Sequence, residues 1–183
     1  MLQIIKLDKP VRLIMLRQGF SLLEVLVTLI VLSVGLLGLA ALQATTLQNN
    51  HSAYQRVQAT LLASDMADRM RSNFSDKMLT GKYYHNPEAA KKDACRNTTG
   101  CTSQEMAQDD IYRWQNSCVD LLPGGSCIVC IDKTPESGTP ANPECEANSI
   151  AYQPGLSYAI KIWWYDDPKN KATLKRYVSS FKP

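Results

Sequence analysis

Residues 20–42 read FSLLEVLVTLIVLSVGLLGLAAL, an apolar run of 23 residues with one charge, Glu24. No other feature constrains the chain so strongly. A segment this apolar can satisfy its own backbone polar groups in lipid only as a helix. At 1.5 Å per residue the helix would be about 35 Å long, enough to cross a hydrocarbon core. The run divides the chain into a leader at 1–19, a transmembrane half-helix at 20–42 and an outer domain at 43–183.

Charge fixes the direction. The leader holds Lys6, Lys9, Arg12 and Arg17 against Asp8, so it carries the whole net charge of +3 and leaves the rest of the chain neutral. Positive flanks stay cytoplasmic, which places residues 43–183 outside. The leader lacks the long apolar core and A-x-A site of an ordinary secretory signal. Met15 offers an alternative start, leaving the five-residue leader Met-Leu-Arg-Gln-Gly.

The helix is expected to continue past the membrane. No proline occurs between Pro10 and Pro87. After Leu42 the pattern becomes amphipathic, with Leu47, Tyr54, Val57, Leu61, Leu62, Met66 and Met70 at helical spacing. Gln48, Asn49, Gln55, Asp65, Asp68 and Arg69 are expected on the other face, with Asp65 and Arg69 as an i, i+4 pair. One helix from about Phe20 to Arg71 would be roughly 78 Å long.

Residues 72–101 read as irregular. A second helix is predicted to start at a capping box, Thr102 with Glu105. Its apolar face is Ala107, Ile111, Trp114, Cys118 and Leu121, and Pro123-Gly124-Gly125 ends it. Strands are predicted at Ser126–Ile131, Ser157–Tyr165 and Leu174–Phe181, the last two as an antiparallel hairpin turning at Asp166, Asp167 and Pro168. Residues 132–155 read mostly as loop. The fold class is α+β: a long N-terminal helix packed on a small antiparallel sheet, with disulfide-bridged loops.

Six cysteines lie between Cys95 and Cys145: Cys95, Cys101, Cys118, Cys127, Cys130 and Cys145. An even, clustered set beyond a membrane-targeting segment points to disulfides in an oxidising compartment. A zinc site would want two closely spaced ligand pairs, and only Cys127 and Cys130 have that spacing. The same pair has the spacing of a thiol oxidoreductase, which wants its first cysteine at a helix N-terminus. In a strand the two would face opposite sides with Cα atoms about 10 Å apart, whereas a disulfide needs less than about 7 Å. Cys127 and Cys130 are therefore expected to bond elsewhere, and the pairing among six cysteines stays open.

No hydrolase constellation occurs, and no catalytic residue, metal or cofactor is expected. His51, on the helix, and His85, in a loop, read as surface residues. Lys169, Lys171, Lys175, Arg176 and Lys182 read as a solvated surface. A neutral chain beyond the leader argues against nucleic-acid binding.

The stretch Gly19-Phe20-Ser21-Leu22-Leu23-Glu24-Val25 resembles the type III signal of type IV prepilins and pseudopilins. The resemblance implies cleavage between Gly19 and Phe20 by prepilin peptidase and N-methylation of Phe20. It implies that Glu24 pairs with the N-terminal amine of a neighbouring subunit and sets its stagger in the fibre. A glycine lets a backbone sit close in a protease site, and an acid near lipid is costly and wants a partner. Gly35 and Gly38 each cost about 1 kcal/mol against alanine in a helix. They fit close helix packing or a segment that loosens on assembly.

The resemblance extends further. Ser33-Val34-Gly35-Leu36-Leu37-Gly38-Leu39 with Gln43, Ala63-Ser64-Asp65-Met66-Ala67-Asp68-Arg69-Met70-Arg71, Trp114 with Leu121-Leu122-Pro123-Gly124-Gly125, and the strand with Trp163 and Trp164 are similar to minor pilins of the PilV type. That implies a type IV pilin-like fold and a low-abundance subunit that helps prime or regulate pilus assembly in a tip or minor-pilin complex. Its partners would be other minor pilins, the major pilin, prepilin peptidase and the inner membrane, with a tip adhesin as a further candidate. The chain would reside in the bacterial inner membrane and then in the pilus at the cell surface. The alternative is a type II secretion minor pseudopilin, which shares the N-terminal signal.

Overall fold

The computed structural model describes residues 19–73, 83–85, 88–146, 157–167 and 173–182. Most of the leader with Met15, Pro87, Pro168, Lys169, Lys171 and much of the predicted loops lie outside the described residues. Two compact units divide between residues 46 and 47.

Helix α1 runs Leu22–Ser72 without interruption. It begins two residues later than the sequence suggested, because the Ser21 carbonyl accepts the first helical hydrogen bonds, from the Glu24 N–H at 3.0 Å and the Val25 N–H at 3.2 Å. In the first unit the apolar side chains of α1 are all exposed, and the stretch is long and apolar enough to cross a membrane.

The second unit is a three-stranded antiparallel sheet with helices against one face. Helix α2 is Ser103–Leu121, and the strands are β1 Ser126–Ile131, β2 Tyr158–Tyr165 and β3 Leu174–Phe181, in the order β1-β2-β3. The Thr102 capping box forms as expected, with Glu105 returning a bond to the Thr102 N–H at 2.9 Å. Gly124 ends α2 at a positive φ of 60°, and a Cβ on Gly125 would meet the Cys118 carbonyl oxygen at 2.0 Å. Only glycine fits that close a reversal.

The core lies between α1, α2 and one face of the sheet. It holds Leu62, Met66 and Met70 of α1, Ile111 and Trp114 of α2, and Val129, Ile160, Ile162 and Trp164 of the strands. The Trp114 indole N–H donates to the Leu62 carbonyl at 2.8 Å and ties the two helices together.

Of the predicted stripe on α1, Leu62, Met66 and Met70 pack as expected and the earlier members do not. Leu47, Tyr54, Val57 and Leu61 are exposed, whereas Gln55, Ala59, Leu62, Ala63, Met66, Ala67 and Met70 are buried. Three alanines let the helix approach closely, and the flexible methionines fill the remaining gaps. Hydropathy favoured Leu47, Tyr54, Val57 and Leu61 over the small alanines and Gln55, so that part of the predicted face was misplaced. On α2 the same correction is local: Leu121 is exposed and its neighbour Leu122 is buried.

Strand β2 is buried on both faces. Tyr158, Ile160, Ile162 and Trp164 face the helices, and Ala159, Lys161 and Trp163 on the other face are also inaccessible. The loop after β1 reaches this outer face. Lys161, fully buried, forms an ion pair with Asp132 and donates to the carbonyls of Pro143 at 2.7 Å and Ser137 at 3.0 Å. Asp132 in turn accepts from the Thr134 N–H at 2.7 Å.

The disulfides follow from this layering. Cys127 points to the helix side and bonds Cys118 of α2, and Cys130 points to the outer side and bonds Cys145 of the loop. The third bridge joins Cys95 and Cys101. The strand argument that separated Cys127 from Cys130 thus holds, and each bond fastens a different layer to β1. His85 is a correction. It is buried rather than a surface residue, and its Nδ1 accepts the Ile131 N–H at 2.9 Å.

Candidate processing and assembly site

The sequence-predicted site residues Gly19, Phe20 and Glu24 lie together at the start of α1, in the first unit. Gly19 and Phe20 precede the first helical turn, so their peptide bond is in non-helical chain, and Phe20 is 83% exposed. Accessible, non-helical backbone is what a peptidase needs at a scissile bond.

Gly19 has no structural reason to be glycine. Its backbone is not left-handed, and a Cβ built there meets no atom within 4 Å. The contrast with Gly124 and Gly125 is direct, since both of those are demanded by the fold. Among the described residues nothing in the fold calls for glycine here, and glycine leaves this backbone open to close approach.

Glu24 lies in the first turn of α1 and is exposed. The partial positive charge of a helix N-terminus favours an anion at that place. Its carboxylate has no ion-pair or hydrogen-bond partner among the described residues. The other polar side chains nearby look after themselves. The Thr28 hydroxyl donates to the Val25 carbonyl and the Ser33 hydroxyl to the Ile30 carbonyl, both at 2.8 Å. Glu24 is therefore the charged group that this apolar surface offers to its surroundings. Its carboxylate can accept a cation.

Gly35 and Gly38 likewise have no atom within 4 Å of a built Cβ. Their small size makes no contact within the chain, so any close approach they permit is to another molecule.

In the second unit, sequence reasoning missed a charged cluster. Asp109, on α2, accepts from Arg113 at 2.7 Å, from the Lys92 N–H at 2.9 Å and from Arg96 at 3.2 Å. Burial opposes ionisation of Asp109, but these three donors outweigh it and hold the carboxyl below its ordinary value. Its neighbour Asp110 binds Arg69 of α1 at 3.1 Å and the Tyr84 hydroxyl at 3.2 Å. Burial, foremost, pushes the Tyr84 phenol above its ordinary range. The cluster joins both helices to the segment carrying Cys95. The i, i+4 spacing of Asp109 and Arg113 on the predicted helix was its local signal, and nothing local pointed to Lys92, Arg96, Arg69 or Tyr84.

Two family models match the chain. One, described as the prokaryotic N-terminal methylation motif, covers residues 14–40. The other, described as type IV pilin Tt1218, covers residues 41–112. They abut, and the first contains Gly19, Phe20 and Glu24. No curated protein and no solved structure matches.

Proposed function

This chain is a type IV pilin, and from that premise we propose that it is a PilV-like minor pilin, cut between Gly19 and Phe20 by prepilin peptidase and methylated at Phe20. Before assembly the apolar segment from Phe20 to Leu42 holds it in the inner membrane, with the leader cytoplasmic and residues 43–183 periplasmic. It then joins other minor pilins and the major pilin in a priming complex and travels to the cell surface in the fibre. The pilin family is structural, and the role proposed here is assembly rather than catalysis.

The observation that carries this reading is the pairing of an unrequired glycine with an unpartnered acid on a bare apolar helix. Gly19 is free of any packing constraint, and Glu24 is the charge on a surface where every large apolar side chain is exposed. Among the described residues the fold does not require the glycine, and the acid gains only the modest favour of a helix N-terminus. A peptidase explains the first, and the new amine of a neighbouring subunit explains the second. That amine is a compact cation, and it appears only after cleavage.

The test separates the two steps. Mass spectrometry of the mature protein should give an N-terminus at methylated Phe20, and any other N-terminus would refute the processing claim. Gly19→Val should leave a membrane-retained precursor. Glu24→Ala should be processed and folded yet absent from sheared fibres. If it enters fibres at the wild-type level, Glu24 does not direct assembly.

A further inference from the structure

The two edges of the sheet are treated differently. On β1, the Ile131 N–H donates to His85 Nδ1 at 2.9 Å, the Ile131 carbonyl accepts from the Glu146 N–H at 3.0 Å, and the Cys127 carbonyl accepts from Gln115 Nε2 at 3.1 Å. Three of the outward backbone groups of that edge are thus engaged. These contacts also show that the odd-numbered residues of β1 face away from β2.

The antiparallel register carries this parity across the sheet. Ile160, Ile162 and Trp164 bond toward β3, opposite Ser179, Tyr177 and Lys175. The N–H and C=O groups of Leu174, Arg176, Val178 and Ser180 therefore point away from the sheet. None of these backbone groups has a partner among the described residues. The strand has no proline, and its register runs unbroken from Leu174 to Phe181, without the bulge that often blunts an edge.

Charge indicates the occupant. Lys175, Arg176 and nearby Lys182 are basic, and β3 contains no acid. Two copies pairing in parallel register through this edge would set Lys175 and Arg176 against their own counterparts, which cross-strand neighbours disfavour. Lys175 already draws on Asp166 at 3.2 Å, and Arg176 draws weakly on the exposed Glu136 at 3.4 Å. We infer that the outer edge of β3 is a strand-acceptor site for an extended, acidic segment of a partner polypeptide. Backbone bonds supply the pairing, and alternate side chains supply selectivity. Adjacent acids on the incoming strand meet Lys175 and Arg176 on opposite faces, and apolar residues beside them meet Tyr177 and Val178. The site stands whether the fibre is a pilus or a secretion pseudopilus.

The experiment is amide hydrogen exchange on the full chain in detergent micelles with its disulfides intact. The probe is a synthetic peptide of about nine residues, a typical strand length, alternating threonine and valine around two adjacent glutamates. The control carries lysines in their place. The acidic peptide should slow exchange at Arg176 and Val178 by about tenfold or more, as closing an open edge should, and the lysine peptide should not. Val178→Pro removes an N–H that points outward, so the β2–β3 ladder survives, and protection by the peptide should vanish. Arg176→Glu should weaken the acidic peptide and admit the lysine peptide. The inference is overturned if neither peptide protects, if both protect equally, if Val178→Pro binds like the parent, or if the edge amides of the free protein are protected in proportion to its concentration.

Discussion

Replacing Lys161 with methionine tests how the outer face of the sheet is held. Lys161 and Asp132 form an ion pair with side chains 0% and 1% exposed. Methionine keeps the length of the lysine stem and removes the ammonium. Asp132 is then a buried carboxylate with bonds from Thr134 but no cation, and the carbonyls of Ser137 and Pro143 lose their donor. Removing one partner of a buried pair costs about 3–5 kcal/mol. With an unfolding slope of about 2 kcal/mol per molar urea, the midpoint should fall by about 1.5–2.5 M. Fluorescence reports it well, because Trp114, Trp163 and Trp164 are all at most 1% exposed. The companion is Lys161→Met with Asp132→Leu, which removes both charges. Apolar replacement of a whole buried pair is often neutral or stabilising, so the double variant should recover most of the loss. A midpoint shift below about 0.5 M for the single variant, well short of the penalty above, would refute the reasoning. So would a double variant no better than the single one, since the two residues would then not act as a pair.

Three further outcomes are expected. Stability should decline on acidification through Asp109: its folded carboxyl titrates below its ordinary value, so its contribution is present above the unfolded pKa of about 3.9 and is lost as pH falls through the folded pKa. Asp109→Asn should flatten the acid limb of urea midpoints measured between neutral and strongly acidic pH. Trp114→Phe removes the indole bond to the Leu62 carbonyl, which keeps its helical partner, and should cost about 0.5–1.5 kcal/mol for that bond, read as a lower urea midpoint with α-helical circular dichroism retained. Among paired cysteine-to-serine variants, loss of Cys130–Cys145, which closes 15 residues, should cost about 0.8 kcal/mol more than loss of Cys95–Cys101, which closes 6, on loop entropy alone. Denaturation of the two variants side by side measures that difference.

Much of the molecule is local in origin. The anchor is set by an uninterrupted apolar run, which has few alternatives in lipid. The capping box at Thr102 and the Pro-Gly-Gly stop bound α2 through contacts within a few residues, so sequence reading placed them well. The period-two pattern of β1 was sufficient to rule out a bridge between Cys127 and Cys130. Gly19, Phe20 and Glu24 were legible because they fall in one linear stretch, which the N-terminal methylation motif matches.

The tertiary structure decided everything that depends on two distant segments meeting. The packed face of α1 is one of small alanines and methionines, and only contact with Trp114 and the sheet reveals that Gln55 is inside and Leu61 outside. Lys161 looked like the polar member of an alternating strand, yet it is buried because Asp132 and two loop carbonyls reach it from 18 or more residues away. The choice among cysteine pairings is the same problem, since it depends on which layer each face of β1 meets. Hydropathy and spacing report what a residue prefers by itself. Burial of a charge, the phase of a helix and the partner of a cysteine are set by what the rest of the chain brings to it.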